Sequence, residues 1–260
     1  MVLSGGPGRT GAARLAARGA LRIGAGLVTL GVPPAAQIEV AGQVTAIMLA
    51  RVPDAAALEA LLEDKRINAL CIGPGLGLSE DHGSLVEAVL RSGRACVLDA
   101  DALTLIARSA PLFGLLHQRC VLTPHWGEFS RLFPDIAGAL DAEPTKGPAY
   151  SKVDATRDAA AKAGCTILFK GPDTVIADPS GAASIHAASY DRATPWLATA
   201  GAGDVLAGFI TGLIARGFST ADAATAAAWL HVECARSFGP GLIAEDLPET
   251  LPGVLNALGA

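Results

Sequence analysis

Thr199-Ala200-Gly201-Ala202-Gly203-Asp204-Val205-Leu206-Ala207-Gly208-Phe209-Ile210 is a Gly-rich turn running into an apolar stretch, with one carboxylate at the junction. From Leu206 the apolar residues recur at Phe209, Ile210, Leu213 and Ile214, the spacing of a helix with a buried face. Gly201 to Gly203 then fall at the helix N-terminus, where unpaired backbone N–H groups and the positive end of the dipole face outward. Glycines let a ligand approach that backbone closely, so the turn reads as an anion cradle. Asp204 would stand beside the anion, placed to take a proton from a hydroxyl group attacking phosphorus. The same residue also suits a helix cap, and the rest of the chain has to decide between the two.

Outward from that turn, short apolar runs alternate with helical patterns. Strands are expected at Val2-Leu3, Leu27–Leu30, Ala46–Leu49, Ala69–Ile72, Ala95–Leu98, Cys120–Leu122 and Thr166–Phe169. Helices are expected at Thr10–Ile23, Asp54–Glu63, Ser84–Arg91, Ala102–Arg108 and Val153–Ala163, and after the turn at Val205–Ala215, Ala221–Ser237 and Leu251–Leu258. This alternation predicts an α/β fold, a mostly parallel sheet covered on both faces. Thr174–Ala177 and Ala183–Ala187, joined across Pro179-Ser180-Gly181, read as an antiparallel hairpin at one edge. No linker, repeat or low-complexity tract divides the chain, so residues 1–260 are expected to form a single domain. Almost nothing precedes the first strand, and an N-terminal piece is expected to be missing.

The 260 residues carry 20 Lys and Arg against 25 Asp and Glu, a formal net charge of −5. That balance gives no electrostatic case for nucleic acid or an acidic membrane surface. Apolar residues make up 51% and aromatic ones 5%, so the core is one of small side chains. The apolar run Val205–Ala215 is too short to span a bilayer at ~20 residues, and without a cationic, then apolar, then small-residue start no secretory signal is expected. Cys71, Cys96, Cys120, Cys165 and Cys234 are odd in number and contain no CxxC pair. They read as buried reduced thiols rather than a disulfide frame or a zinc site, and a cytoplasmic location follows.

Gly6-x-Gly8-x-x-Gly11 follows a strand and opens a helix, but the second strand ends at Val32-Pro33-Pro34 and no acid appears until Glu39. The ribose acid of a dinucleotide fold is therefore missing, and the loop is left to bind part of a nucleotide-like ligand. No Gly-Lys dipeptide occurs, which excludes a Walker A loop. Gly73-Pro74-Gly75-Leu76-Gly77 is a second Gly-rich loop at a strand end, where ligands of parallel sheets collect. Asp99 and Asp101 follow another strand and suit a magnesium–water shell or a ligand hydroxyl, with Asp101 better placed as an N-cap. Thr123-Pro124-His125-Trp126-Gly127-Glu128 offers His125 to an amide or phosphate, with Glu128 to hold the loop through backbone N–H groups. His82, His117, His186 and His231 lack such a setting and read as structural or solvated. Lys170 ends the apolar run Ile167-Leu168-Phe169 and reads as a mobile point charge for nucleotide phosphates.

Taken together these segments resemble a known family. Gly5-Gly6 with Thr10-Gly11-Ala12-Ala13, Gly24-Ala25-Gly26-Leu27-Val28, the Gly73–Gly77 loop, Val97-Leu98-Asp99-Ala100-Asp101-Ala102-Leu103, Thr123-Pro124-His125 with Gly127-Glu128, Lys170-Gly171 with Thr174, and Ala200–Gly208 occur in family order. They are similar to the ADP-dependent NAD(P)H-hydrate dehydratases, the carbohydrate-kinase-like branch of the ribokinase superfamily, from Gly5 to about Leu258. The resemblance implies a ribokinase-like three-layer sandwich and ADP-dependent repair of NAD(P)H hydrate, releasing AMP and phosphate. It implies Asp204 as the base, with Gly201, Ala202 and Gly203 stabilising the transferring phosphoryl group. Lys170, Gly171, Pro172, Asp173 and Thr174, with Gly203, match the adenine-nucleotide loop. Ala12, Gly75, Gly77 and His125, with Asp204, match positions that contact the hydrate. ADP, with ATP as the other candidate donor, and magnesium are the implied cofactors, although no residue identifies the metal's ligands. A homo-oligomer, commonly a tetramer, is implied as well.

The chain departs from the family pattern at several points. Ala200 and Ala202 replace a Gly and a Thr of the turn, Trp126 replaces a Pro, and Thr194 stands where Asn commonly precedes Pro. Ala200 falls where a positive φ is expected to favour glycine. The competing readings are a kinase of a small hydroxymethyl vitamin precursor on the same fold, and a catalytically inactive nucleotide-binding protein.

Overall fold

Short apolar runs alternating with helical ones build one nine-stranded sheet in a computed structural model that describes residues 1–145 and 147–259. The strands are β1 (Val2–Leu3), β2 (Thr29–Val32), β3 (Met48–Arg51), β4 (Ala69–Ile72), β5 (Ala95–Leu98), β6 (Cys120–Leu122), β7 (Thr166–Phe169), β8 (Asp173–Ala177) and β9 (Ala183–Ala187). Their order is β3-β2-β1-β4-β5-β6-β7-β8-β9, parallel from β3 to β7 and antiparallel through β8 and β9. The expected hairpin thus forms the far edge. β4 to β7 are buried along their whole length, as strands sandwiched between two helical layers must be.

The helices are α1 (Gly11–Arg22), α2 (Gln37–Ala41), α3 (Ala55–Leu61), α4 (Glu80–Arg91), α5 (Asp101–Ala107), α6 (Ala110–Phe113), α7 (Trp126–Leu132), α8 (Pro134–Asp141), α9 (Lys152–Ala163), α10 (Ala202–Ala215), α11 (Thr220–Phe238) and α12 (Asp246–Ala257). One core holds α1, α10, α11 and α12 against a face of the sheet, and a second holds α3 to α9 against the other. Among the described residues no helix is long and apolar enough to cross a membrane.

Small residues set how closely the first layer packs. A Cβ added to Gly208 on α10 would lie 2.1 Å from the Ala16 carbonyl oxygen of α1, and one on Gly212 would lie 2.6 Å from that of Ala20. The two backbones therefore touch. Gly208→Ala must force the helices apart, and it is expected to lower stability by roughly 1–3 kcal/mol. An unchanged urea midpoint would show that α1 and α10 separate without loss.

The structure shifts several expected boundaries. β2 and β3 both lie two residues later than their apolar runs suggested. Pairing of Val2 with Leu30 and of Leu3 with Gly31 fixes β2, and Pro33 drives Val32 into extended backbone. β3 then follows β2 in register, Thr29 opposite Met48. α12 starts at Asp246 rather than Leu251, because Pro248 sits in the first turn, where no backbone N–H is needed. The short helices α2, α6 and α8 had no periodic signature to read.

Candidate active site

The loops that follow the parallel strands converge at the carboxyl end of the sheet, joined backbone to backbone. A Cβ on Gly5, after β1, would lie 1.9 Å from the Gly75 carbonyl oxygen, after β4. Only glycine lets these two loops meet. One on Gly75 would lie 3.4 Å from Ala12 Cβ, and one on Gly73 would lie 1.7 Å from the Asp99 carbonyl oxygen. The loops after β1, β4 and β5 are thereby locked together, with Ala12 and Gly75 side by side. The Gly77 amide donates to Asp101 Oδ2 at 2.8 Å. Asp101 is thus not the N-cap its sequence setting favoured: Ala100 takes that place, at a φ of 49° with no side-chain bond. Such a conformation is strained for a residue with a Cβ.

At the N-terminus of α10, Gly201 is the cap residue, with a φ of +88° in the left-handed region. A Cβ there would also meet Leu15 Cδ1 at 2.7 Å and Ala244 Cβ at 2.9 Å. Asp204 is the third residue of the helix and makes no cap bond. The capping reading of Asp204 is excluded. Ala200 does not adopt a positive φ, since among the described non-glycine residues only Ala100 and Tyr190 do; the expected penalty for alanine is absent. The buried His231 ring bonds to the Ala202 carbonyl oxygen at 2.8 Å. Burial holds its pKa down to about 4, against that bond, which raises it, and with the nearby Lys170 charge, which lowers it further. A neutral ring donates this bond, and it pins the first turn of the helix.

Facing this turn is a cluster drawn from three strand ends. Lys170 Nζ, after β7, lies 2.8 Å from Asp99 Oδ1, after β5, and 3.7 Å from Glu128 Oε2 on α7. Burial alone would lower the ammonium pKa, but the Asp99 and Glu128 carboxylates raise it. Lys170 is therefore a fixed cation rather than the mobile one expected. Asp204 has no hydrogen-bond partner among the described residues, and its carboxyl is pushed up to about 7. Burial is the main cause, Asp99 and Glu128 add to it, and Lys170 opposes it. A carboxylate at that position on the scale is suited to exchange protons near neutrality.

His125 caps α7. Its Nδ1 accepts from the Gly127 amide at 2.9 Å, and Glu128 Oε2 accepts from the His125 amide at 2.9 Å. Its Nε2 lies 3.6 Å from Glu128 Oε1, and the ring is otherwise open, with 55% of the side chain exposed. Glu128 therefore joins the His125 loop to the Lys170 cluster. Trp126 stacks on Phe169 at 6.1 Å between ring centroids. The Gly171–Thr174 turn closes on itself, Thr174 Oγ1 donating to the Gly171 carbonyl at 2.9 Å. Lys152 Nζ secures it, at 2.8 Å from Asp173 Oδ1, and the Pro172 carbonyl accepts from the Ala188 amide.

No three carboxylates converge here within metal-ligand spacing among the described residues. Asp99 and Glu128 already face an ammonium group. A protein cage for magnesium is not what this donor set builds; phosphate oxygens and water would have to supply its ligands.

The family profile described as NAD(P)H-hydrate dehydratase matches residues 1–251. The chain belongs to the NAD(P)H-hydrate dehydratase family. It is 37% identical over 272 residues to the bifunctional NAD(P)H-hydrate repair enzyme Nnr of Moorella thermoacetica, covering 99% of this chain and 49% of that protein. The chain spans about half the length of the curated relatives it matches. Bacillus subtilis ADP/ATP-dependent NAD(P)H-hydrate dehydratase, co-crystallised with ATP and Mg2+, is 26% identical at a TM-score of 0.76, covering 98% of this chain and 88% of that one. Hydroxyethylthiazole kinase of Pyrococcus horikoshii, 18% identical, covers 92% of each chain at a TM-score of 0.60 and shares the fold alone.

In this site, sequence reading named Glu39 only as too late for a ribose acid and gave it no other role. Its carboxylate accepts from the Gly8 amide at 2.8 Å and from the Thr10 hydroxyl, holding the first loop in shape. The signal was present: Glu39 is the first acid after β2, on α2, and β2 neighbours the strand that leads into that loop. Asp99 was noticed, but not its pairing with a lysine 71 residues away.

Proposed function

We propose that the protein is an ADP-dependent (S)-NAD(P)H-hydrate dehydratase, a hydro-lyase that restores damaged nicotinamide nucleotides. The observation that carries this reading is the half-buried Asp204, without a hydrogen-bond partner among the described residues, at the Gly-rich N-terminus of α10 and near the fixed Lys170 cation.

Asp204 takes the proton of the C6 hydroxyl as its oxygen forms a bond to the terminal phosphorus of ADP, and AMP leaves. The amides of Gly201, Ala202 and Gly203, with Lys170, stabilise the charge spread over the transferring phosphoryl group. The ring nitrogen lone pair then expels phosphate from C6, and loss of a C5 proton gives the reduced nicotinamide. Phosphorylation turns a poor leaving group into a good one, so no strong acid is required. The Gly171–Thr174 turn and Gly203 receive the adenine nucleotide, while Ala12, Gly75, Gly77 and His125 receive the hydrate. Magnesium, carried on the nucleotide phosphates, supplies charge neutralisation there. ADP rather than ATP as donor, one catalytic domain over residues 1–260, a homotetramer and a cytoplasmic location complete the reading. The family likeness supports these points, and the buried free thiols support the last.

The test is absorbance at the reduced-nicotinamide band with hydrated NADH, magnesium and either ADP or ATP. A rise with ADP supports the proposal, and a rise only with ATP corrects the donor. Accumulation of a phosphoester without phosphate release would make the protein a kinase, and nucleotide binding without turnover would make it an inactive binder. His125→Ala is expected to raise KM for the hydrate severalfold more than KM for ADP. The reverse pattern would move His125 to the nucleotide side.

A further inference from the structure

At the other end of the sheet from Asp204, three side chains that the dehydratase reading leaves unused come together. Cys96 and Cys120 are register partners on β5 and β6. Both point into the same core, with Sγ atoms 3.6 Å apart. His117, on the turn before β6, brings a ring nitrogen within 4.8 Å of both sulfurs. We propose that Cys96, Cys120 and His117 form a binding site for a thiophilic divalent ion of the zinc class.

Two thiolates on one tetrahedral zinc ion, with Zn–S bonds of about 2.3 Å, stand roughly 3.8 Å apart. The two sulfurs already have nearly that spacing. The histidine supplies the second, independent observation. Its Nδ1 accepts from the Arg119 amide at a long 3.3 Å, while Nε2, buried near the Leu90 backbone, makes no hydrogen bond of good geometry among the described residues. A buried ring nitrogen with nothing to bond is a defect unless a ligand satisfies it. Binding balances as M2+ plus two thiols giving a bis-thiolate complex and two protons. The neutral imidazole shifts its own proton to Nδ1 and surrenders the weak Arg119 contact. Cys165 precedes Thr166, which pairs with Val121, so it stands level with Cys120 on the next strand and in the same core. It is the nearest candidate for a fourth donor. The Arg119 guanidinium is itself engaged by the Gly93 carbonyl, and its charge favours the neutral, ligating form of the His117 ring. The sequence pattern is His-x-x-Cys with a distant Cys, which a search for CxxC pairs passes over.

The site would tie β5 to β6 and to the turn between α6 and β6, without touching the catalytic end. The experiment titrates reduced, chelator-treated full-length protein with Co2+ and follows the thiolate-to-cobalt charge-transfer band, then adds Zn2+. The band is expected to saturate at one equivalent, vanish on Zn2+ addition, and survive in Cys234→Ser. Cys96→Ser should abolish it, and His117→Ala should weaken Co2+ binding at least tenfold. His117 is half-exposed, so its variant decides the matter even if Cys96→Ser does not fold. No band in the wild type, or an undiminished band in His117→Ala, overturns the proposal. So does loss of two thiols to a Cys96–Cys120 disulfide with no cobalt band, which would make the pair a redox element.

Discussion

Asp204→Asn is expected to lower kcat by roughly 10²–10⁴-fold, leave ADP affinity nearly unchanged and raise the melting temperature above pH 7. The three effects share one cause. Asp204 has no hydrogen-bond partner among the described residues to repay its partial burial, so its ionised form is tolerated for chemistry and opposed by the fold. Its carboxyl titrates at 3.8 in the unfolded chain and at about 7 in the folded one. Between those values the folded state binds more protons, so stability falls as pH rises through that window. Above pH 7 the ionised group costs up to about 4 kcal/mol. Asparagine keeps the shape and the amide cradle but carries no charge and accepts no proton. The wild-type rate should accordingly rise through a limb near pH 7 and level off above it. A pH profile and a melting series on both proteins check this. Retained turnover with the limb in place would remove Asp204 from the role of base.

Lys170→Met is expected to destabilise the protein by about 3–5 kcal/mol, because it strands a buried carboxylate. Asp99 is only 2% exposed, and Lys170 is the cation that faces it. Adding Asp99→Asn removes the stranded charge, so the double variant should recover part of the loss rather than sum the two. The electrostatics predict a second readout. Lys170 holds the Asp204 carboxyl down and Asp99 pushes it up. Any residual activity of Lys170→Met should have its limb at higher pH, and the double variant should move back toward the wild type. Urea midpoints and pH profiles test this. Additive losses with an unmoved limb would show that the pair acts only as packing.

The turn into α10 was legible because everything it needs is local. Gly201 must reach a positive φ, the apolar spacing from Leu206 declares the helix, and Asp204 follows within three residues. The alternation of β4 to β7 with their helices was equally plain, since strands buried on both faces are apolar throughout. What escaped notice is pairing across the sheet. The Lys170 ammonium looked free until β5 placed Asp99 against it, and Asp101 looked like a cap until the Gly77 amide claimed its carboxylate. Local rules rank Asp as a good cap, but they know nothing of an amide 24 residues away. The β2 and β3 boundaries failed for the same reason: register with the neighbouring strand, β1 for β2 and β2 for β3, sets where each begins, not the apolar run.

The glycine-to-carbonyl contact of α10 with α1 reaches beyond stability. Each helix is led by one of the loops proposed to bind ligand, Gly5–Thr10 before α1 and Thr199–Gly201 before α10. With no side chain between Gly208 and Ala16, neither axle can slide or roll against the other. The gap between the loops is therefore a fixed gauge. On the proposed function, a dinucleotide laid across it would meet two jaws whose spacing was set when the chain folded, and catalysis would spend no binding energy on bringing them together.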